Sequence, residues 1–166
     1  MPRSNQAQAS ILSPSLTTSA TASTTAGTYD IIAGAGTMVS SNYELNYVKG
    51  SLTINKVTLT VTANNKSRIY GTPNPLLNAT ITGYVNGEIF STSGISGSPA
   101  MSTAAVQTSK VGNYDINTEL GSLAAANYDF TFVKGTLVIG KATLTITAEN
   151  KTKPYGAQLP EFTAAY

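Results

Sequence analysis

The chain has 166 residues with ten Lys plus Arg, eight Asp plus Glu, a formal net charge of +2, and no Cys, His or Trp. Thiol, imidazole and disulfide chemistry are thereby excluded, and so weak a field, carried on lysines scattered without a basic run, argues against nucleic acid or an anionic membrane as partner. Apolar residues at 41% and charged residues at 11% describe a globular chain of one or two domains, solvated by Thr, Ser and Asn, rather than a disordered one.

In chain order, the opening MPRSNQAQAS lacks the apolar stretch of a secretory signal, and a Ser/Thr/Ala-rich lead runs from Ser13 to Ala26. Tyr29 to Ile32 is the first strand candidate. In NYELNYVKGSLTI a two-residue turn at Lys49 and Gly50 would set Tyr47 opposite Leu52 and Leu45 opposite Ile54 on one face. A hairpin is expected there, with Gly50 supplying the positive φ of the turn. Val57, Leu59, Val61 and Ala63 then alternate with Thr58, Thr60 and Thr62, the pattern of a half-buried strand. Leu77 to Thr82 follows as another strand, separated by Gly, Pro and Asn punctuation. Met101 to Val106 comes nearest to a helical stripe, but Ser and Thr interrupt it. Tyr114 to Asn117 is again a strand, and Phe132 opposite Leu137, with Phe130 opposite Ile139, predicts a second hairpin around Lys134 and Gly135. Ala142, Leu144, Ile146 and Ala148 repeat the alternation against threonines. The reading is all-β: tandem antiparallel β-sandwich repeats, Ig-like, of about 85 residues. A β-grasp-like sheet with one short helix near Met101 to Val106 is the alternative.

The repeat length comes from the chain itself. Residues 27 to 77 overlay 112 to 162 without a gap, 23 of the 51 positions being identical, which marks a duplication. Residues 1–55 then read as the later part of one repeat, 56–140 as a complete repeat, and 141–166 as the opening of a third, so a fragment of a longer array is expected. Between SLTI and VTLTVTA only Asn55 and Lys56 intervene, and at the next junction only Gly140 and Lys141. With no Gly/Ser or Pro linker, neighbouring repeats are expected to be held stiffly in line, along a near-continuous strand from Ser51 to Ala63 spanning ~40 Å. Arrays of this kind hold together by repeat cores and nearest-neighbour contacts.

The stretch LTVTANNKSRIYGTPNPLLNATITGYVNGEIF, then VGNYDI and NYDFTFVKGTLVIGKATLTITAENKTKPYG, resembles the MBG-type repeat domain of bacterial surface proteins in its Tyr-Gly variant. The matching positions are Tyr70 with Gly71, Pro73 to Pro75, Gly83 to Gly87, Gly112 to Ile116, Asn127 with Tyr128, and Gly135 to Ile139, with Tyr155 and Gly156 reopening the pattern. The resemblance covers nearly the whole chain, and the lead from Ser13 to Ala26 departs from the family's strand pattern. It implies an extracellular or cell-surface location in bacteria, a stalk or spacer role in a large adhesin-like protein, and no assigned catalytic residues.

Each candidate site has a structural reading beside a functional one. Tyr70 with Gly71, and Tyr155 with Gly156, could present a sugar-binding platform, but a turn locked by a buried ring is preferred. Tyr29 and Tyr114 stand in a repeated Gly-x-Tyr-Asp-Ile motif and are read as structural, as are Gly50 and Gly135. Asp30 and Asp115, the next residues in that motif, supply one carboxylate per repeat, too few for calcium's ~6 to 8 oxygens. Lys49, Lys56, Lys66, Lys134, Lys141 and Lys151 recur at turns and junctions, where charge discourages edge pairing; a Lys to Asn cross-link would need a buried lysine beside a carboxyl. The sequons at Asn65, Asn78 and Asn150 carry no signal in a chain this rich in Asn, Ser and Thr.

An enzyme is not expected. A serine nucleophile has no histidine base, no His or Cys can hold zinc, no phosphate-cradling glycine loop is present, and the glutamates are scattered. Neither cofactor nor metal is expected. The partners anticipated are neighbouring repeats of the same array, with a glycan or host-surface protein as the alternative, and neither nucleic acid nor direct membrane insertion. Because residues 141 to 166 correspond to 56 to 81 and residues 1 to 54 to 86 to 139, strand-exchanged self-association of the two ends is also expected.

Overall fold

A computed structural model describes residues 13–166; residues 1–12, including MPRSNQAQAS, lie outside the described part. Every regular element among the described residues is a strand. Those residues form two compact units, one from residues 13–59, 83–97 and 123–130, the other from 60–82, 98–122 and 131–166.

In the first unit, β1 (Ser15–Thr18), β2 (Gly27–Gly34) and β3 (Gly50–Ile54) form an antiparallel sheet in the order β1-β2-β3. Tyr29 stands opposite Leu52, and Leu16 opposite Ala33. The Ser/Thr/Ala-rich lead therefore does contain a strand, because its threonines need only a neighbour with free N–H and C=O groups, which β2 supplies. Leu59, Ile95, Leu123 and Tyr128 are buried in this unit.

The second unit repeats that sheet and extends it. It contains β5 (Lys66–Ile69), β7 (Ala100–Thr103), β8 (Gly112–Glu119) and β10 (Gly135–Gly140), in the order β5-β10-β8-β7. The registers coincide with the first sheet at the 85-residue offset: Ala100 pairs with Glu119 as Ser15 does with Gly34, and Gly112 with Ile139 as Gly27 does with Ile54. A duplicated alternation yields a duplicated pairing, since a slip of one residue would turn every apolar side chain outward. Residues 60 to 63 of β4 (Val57–Ala63) pair antiparallel with β6 (Ala79–Thr82), and the sheet containing them has the order β6-β4-β9, with β9 at Tyr128–Val133. Ala63, Ala105, Ile116, Leu137 and Ile139 form the buried core, with Leu77, Met101 and Tyr114 packed against it. Two layers thus enclose one core, as in a sandwich. The short pair β11 (Thr147–Ala148) and β12 (Ala164–Ala165) reproduces the β4-β6 register, Thr147 opposite Ala165 where Thr62 meets Thr80.

The structure is all-β, and it revises four details. The sheet is mixed, because β5 runs parallel to β10, with Leu137 beside Lys66 and Gly140 beside Ile69. Neither hairpin forms: β9 belongs to the sheet of β4, while β10 joins β8 and β5, so Lys134 is a crossover between layers. Period two reports which way a side chain faces; two strands on opposite layers of a sandwich satisfy it as well as two hairpin neighbours do. Gly50 and Gly135 accordingly have no positive φ. A Cβ on Gly135 would lie 2.4 Å from the Ala63 carbonyl oxygen, so it is a close approach that calls for glycine there. Finally, β3 and β4 are separate strands of different sheets, broken at Asn55 and Lys56; Met101 lies in β7, which sets aside the alternative with a short helix there.

Candidate functional site

The stretch joining β3 to β4 is the best-built polar site in the first unit. Asn55 and Lys56 lead straight from one strand to the next. The Val57 N–H donates to the Asn127 backbone carbonyl at 3.0 Å, and the Asn127 Oδ1 accepts the backbone N–H of Ala26 at 3.0 Å. Lys56 Nζ lies 3.5 Å from Asp129 Oδ1 and donates to the Ala125 carbonyl at 3.4 Å. One asparagine thus ties the end of the Ser/Thr/Ala-rich lead to the start of the second repeat. An amide suits this position because it accepts a backbone N–H without bringing a charge into a partly buried place.

Beside Asn127, the Tyr128 ring is buried and meets Tyr84 edge-on, with centroids 6.1 Å apart and planes at 76°. Its hydroxyl donates to Glu88 Oε2 at 2.5 Å. That carboxylate, with burial second, pushes the Tyr128 phenol above the ordinary tyrosine range, and burial alone raises Tyr84. The Tyr84 hydroxyl is buried without a hydrogen-bond partner among the described residues. Glu88 is delivered by the tight turn Val85-Asn86-Gly87-Glu88, closed by the Glu88 N–H on the Val85 carbonyl, with Asn86 and Gly87 both at positive φ. These groups flank a cleft of about 580 Å³ whose other walls include Thr21, Ser23, Ile54 and Asn55. Its polar atoms are hydroxyls, amides and a carboxylate already engaged by Tyr128, an arrangement suited to holding backbone in place.

The residues singled out in the sequence are dispersed. Tyr70 and Gly71 form the centre of a turn after β5, in which Gly71 has φ +86° and the Thr72 N–H donates to the Ile69 carbonyl at 3.3 Å. Gly156 repeats the same φ after Tyr155, with Ala157 bonded back to Pro154. A glycine at the third position with left-handed φ is the requirement of a type II turn. The rings of Tyr70 and Tyr155 are exposed, so the expected buried ring is corrected. What secures the Tyr70 turn is a polar network. Arg68 donates to Asn74 Oδ1 at 2.7 Å and to the Val106 carbonyl at 2.6 Å, Asn74 donates to the Ala105 carbonyl at 2.6 Å, and Gln107 donates to the Gly71 carbonyl at 2.7 Å.

Tyr29 and Tyr114 make equivalent bonds, their hydroxyls donating to the carbonyls of Thr25 and Lys110, four residues upstream, at 2.8 and 2.9 Å. This is the bond by which a tyrosine pins the corner leading into a sandwich strand. The adjacent Asp30 and Asp115 each pair with a lysine, Lys49 at 2.7 Å and Lys134 at 2.9 Å, both pairs well exposed. Sequence reasoning did not single out Asn127, Tyr128 and Glu88 as a site. The available signal was the Asn-Tyr pair recurring at Asn42-Tyr43 and Asn127-Tyr128, the same 85 residues apart.

No curated protein and no solved structure matches the chain. The family described as MBG domain (YGX type) matches residues 4–53 and again 59–138, which together make up most of the sequence. With the duplicated sheet registers and the recurring Tyr-Gly turn, that match establishes that the chain belongs to the MBG domains of YGX type.

Proposed function

We propose that the chain is a run of structural spacer repeats in a large bacterial secreted or cell-surface adhesin-like protein, projecting a distal binding region and carrying no catalysis of its own. Membership in a family of repeats supports the reading. The observation that carries it is the bond from the Ala26 N–H to Asn127 Oδ1, made beside a connector of only two residues. A spacer transmits position only if its joints resist bending, and a short connector clamped by hydrogen bonds removes the freedom that a Gly/Ser linker would give.

The absence of cysteine makes the test direct. Spin labels on Ser41→Cys and Thr108→Cys, both exposed positions, should report one narrow distance distribution. Inserting Gly-Ser-Gly-Ser between Asn55 and Lys56 should broaden it severalfold. A broad distribution in the parent chain would count against a spacer.

The exposed Tyr70 ring favours a second reading, in which the repeat itself takes a glycan, since a ring face is apolar and its tip polar. Saturable binding on a glycan array, abolished by Tyr70→Ala without loss of thermal stability, would support that reading over the spacer.

A further inference from the structure

Among the described residues one other than glycine has its backbone in the left-handed region: Asn86, at φ +56°. Gly87 follows at φ +71°, and nothing lies within 4 Å of where a Cβ on it would stand. The pair is the centre of the turn Val85-Asn86-Gly87-Glu88, closed by the Glu88 N–H on the Val85 carbonyl at 3.0 Å. Two consecutive positive φ values are the demand of a type I′ turn, and they account for the shape that Asn-Gly adopts there. The same pair also carries a reactivity.

No other asparagine in the chain precedes glycine. Asn86 is exposed, and neither its side-chain amide nor the Gly87 N–H has a hydrogen-bond partner among the described residues. Other asparagines are held, Asn64, Asn65, Asn74 and Asn127 each accepting a hydrogen bond through Oδ1. An amide carbon is a weak electrophile, so attack on it from within the chain depends on close approach. At residue 87 the missing Cβ removes the group that would obstruct the backbone nitrogen.

We propose that Asn86 is a site of spontaneous deamidation, and that its product unlatches Glu88 from Tyr128. The Gly87 nitrogen, giving its proton to base in the solvent, bonds to Asn86 Cγ; the Cγ–Nδ2 bond breaks and the side-chain nitrogen leaves as ammonia, closing a cyclic imide. Water then opens the imide, at Cγ to leave an ordinary aspartate or at the main-chain carbonyl to leave isoaspartate. One water is consumed and one ammonia released, and nothing is oxidised or reduced. Isoaspartate routes the main chain through its side-chain carbons and so adds a methylene inside the turn, while either product sets a new carboxylate near that of Glu88. A turn lengthened in this way no longer delivers Glu88 Oε2 to the Tyr128 hydroxyl. Conversely, the Tyr128 bond restrains the turn and slows the reaction that undoes it.

Peptide mapping by mass spectrometry of the full chain, kept folded in mildly alkaline buffer, should show the amide-to-acid mass change at Asn86 before any of the other twelve asparagines, with isoaspartate the larger product. The aged protein should lose the late titration of Tyr128 in proportion to its isoaspartate content. These two readings use the parent chain alone. Tyr128→Phe leaves the sequence around Asn86 unchanged, so in urea it should convert at the parent's rate, and when folded it should convert severalfold faster. Survival of Asn86 while other asparagines convert, aspartate formed without isoaspartate, an aged protein whose Tyr128 titrates as before, or a folded variant no faster than the parent would overturn the proposal.

Discussion

Asn127 accepts the backbone N–H of Ala26 through its side chain and the N–H of Val57 through its main chain, joining residues 101 positions apart in sequence at one point of the first unit. The side-chain bond alone can be deleted. Asn127→Ala should leave the Ala26 N–H without its acceptor, at a cost of about 1 kcal/mol. The spin-label distribution across the connector should broaden while the second unit's exchange protection stays unchanged. A distribution as narrow as the parent's would move the stiffness elsewhere.

Tyr128 and Glu88 make the first unit sensitive to alkali. The native phenol is held above its ordinary value near 10, so the folded state binds this proton more tightly than the unfolded chain does. Its contribution is therefore complete below about pH 10 and is lost as pH climbs through the native value. Absorbance of tyrosinate should show two late-titrating phenols, Tyr128 and Tyr84, of which Glu88→Gln brings Tyr128 back toward the ordinary range. Tyr128→Phe should lower stability by about 1.5–3 kcal/mol, the range for a hydrogen bond to a charged group.

Gly50 and Gly135 occupy equivalent positions with unequal surroundings. A Cβ at Gly135 would overlap the Ala63 carbonyl at 2.4 Å, whereas one at Gly50 would meet the Ile31 Cβ at an ordinary 3.6 Å. Gly135→Ala should cost about 2–3 kcal/mol in denaturant melts, and Gly50→Ala should stay within about 0.5 kcal/mol. Equal effects would restore a shared turn requirement at the two sites.

In the Tyr-Gly turn the glycine matters more than the ring. Gly71 has φ +86° with open space around it, so Gly71→Ala should cost about 1–2 kcal/mol through backbone strain alone. Tyr70→Ser, which removes an exposed ring, should change stability by no more than about 0.5 kcal/mol. Thermal melts of the two variants side by side should separate them clearly.

Much of the fold was legible from residue order. Alternating Thr with Val and Leu suits a pleated strand, and VTLTVTA is one over its whole length, although in its copy ATLTITA only Thr147 and Ala148 lie in a strand; the repeated Tyr-Asp-Ile motif marks a repeated sheet whose registers do coincide. The Tyr-Gly turns were also readable, because a left-handed φ is a local demand that glycine meets.

What only the tertiary structure decided was partnership. Phe132 and Leu137 stand at the spacing of a hairpin, yet their strands lie in different sheets and only Leu137 is buried, because alternation is set by neighbours along the chain and pairing by groups far from it. The same distance hid the parallel strand Lys66–Ile69 beside β10, and the meeting of Ala26 with Asn127. Composition and period determined that this chain is made of strands and of copies; which strand covers which is settled by the three-dimensional competition to bury Leu59, Ile116, Leu137 and Ile139, a contest no single stretch of sequence contains.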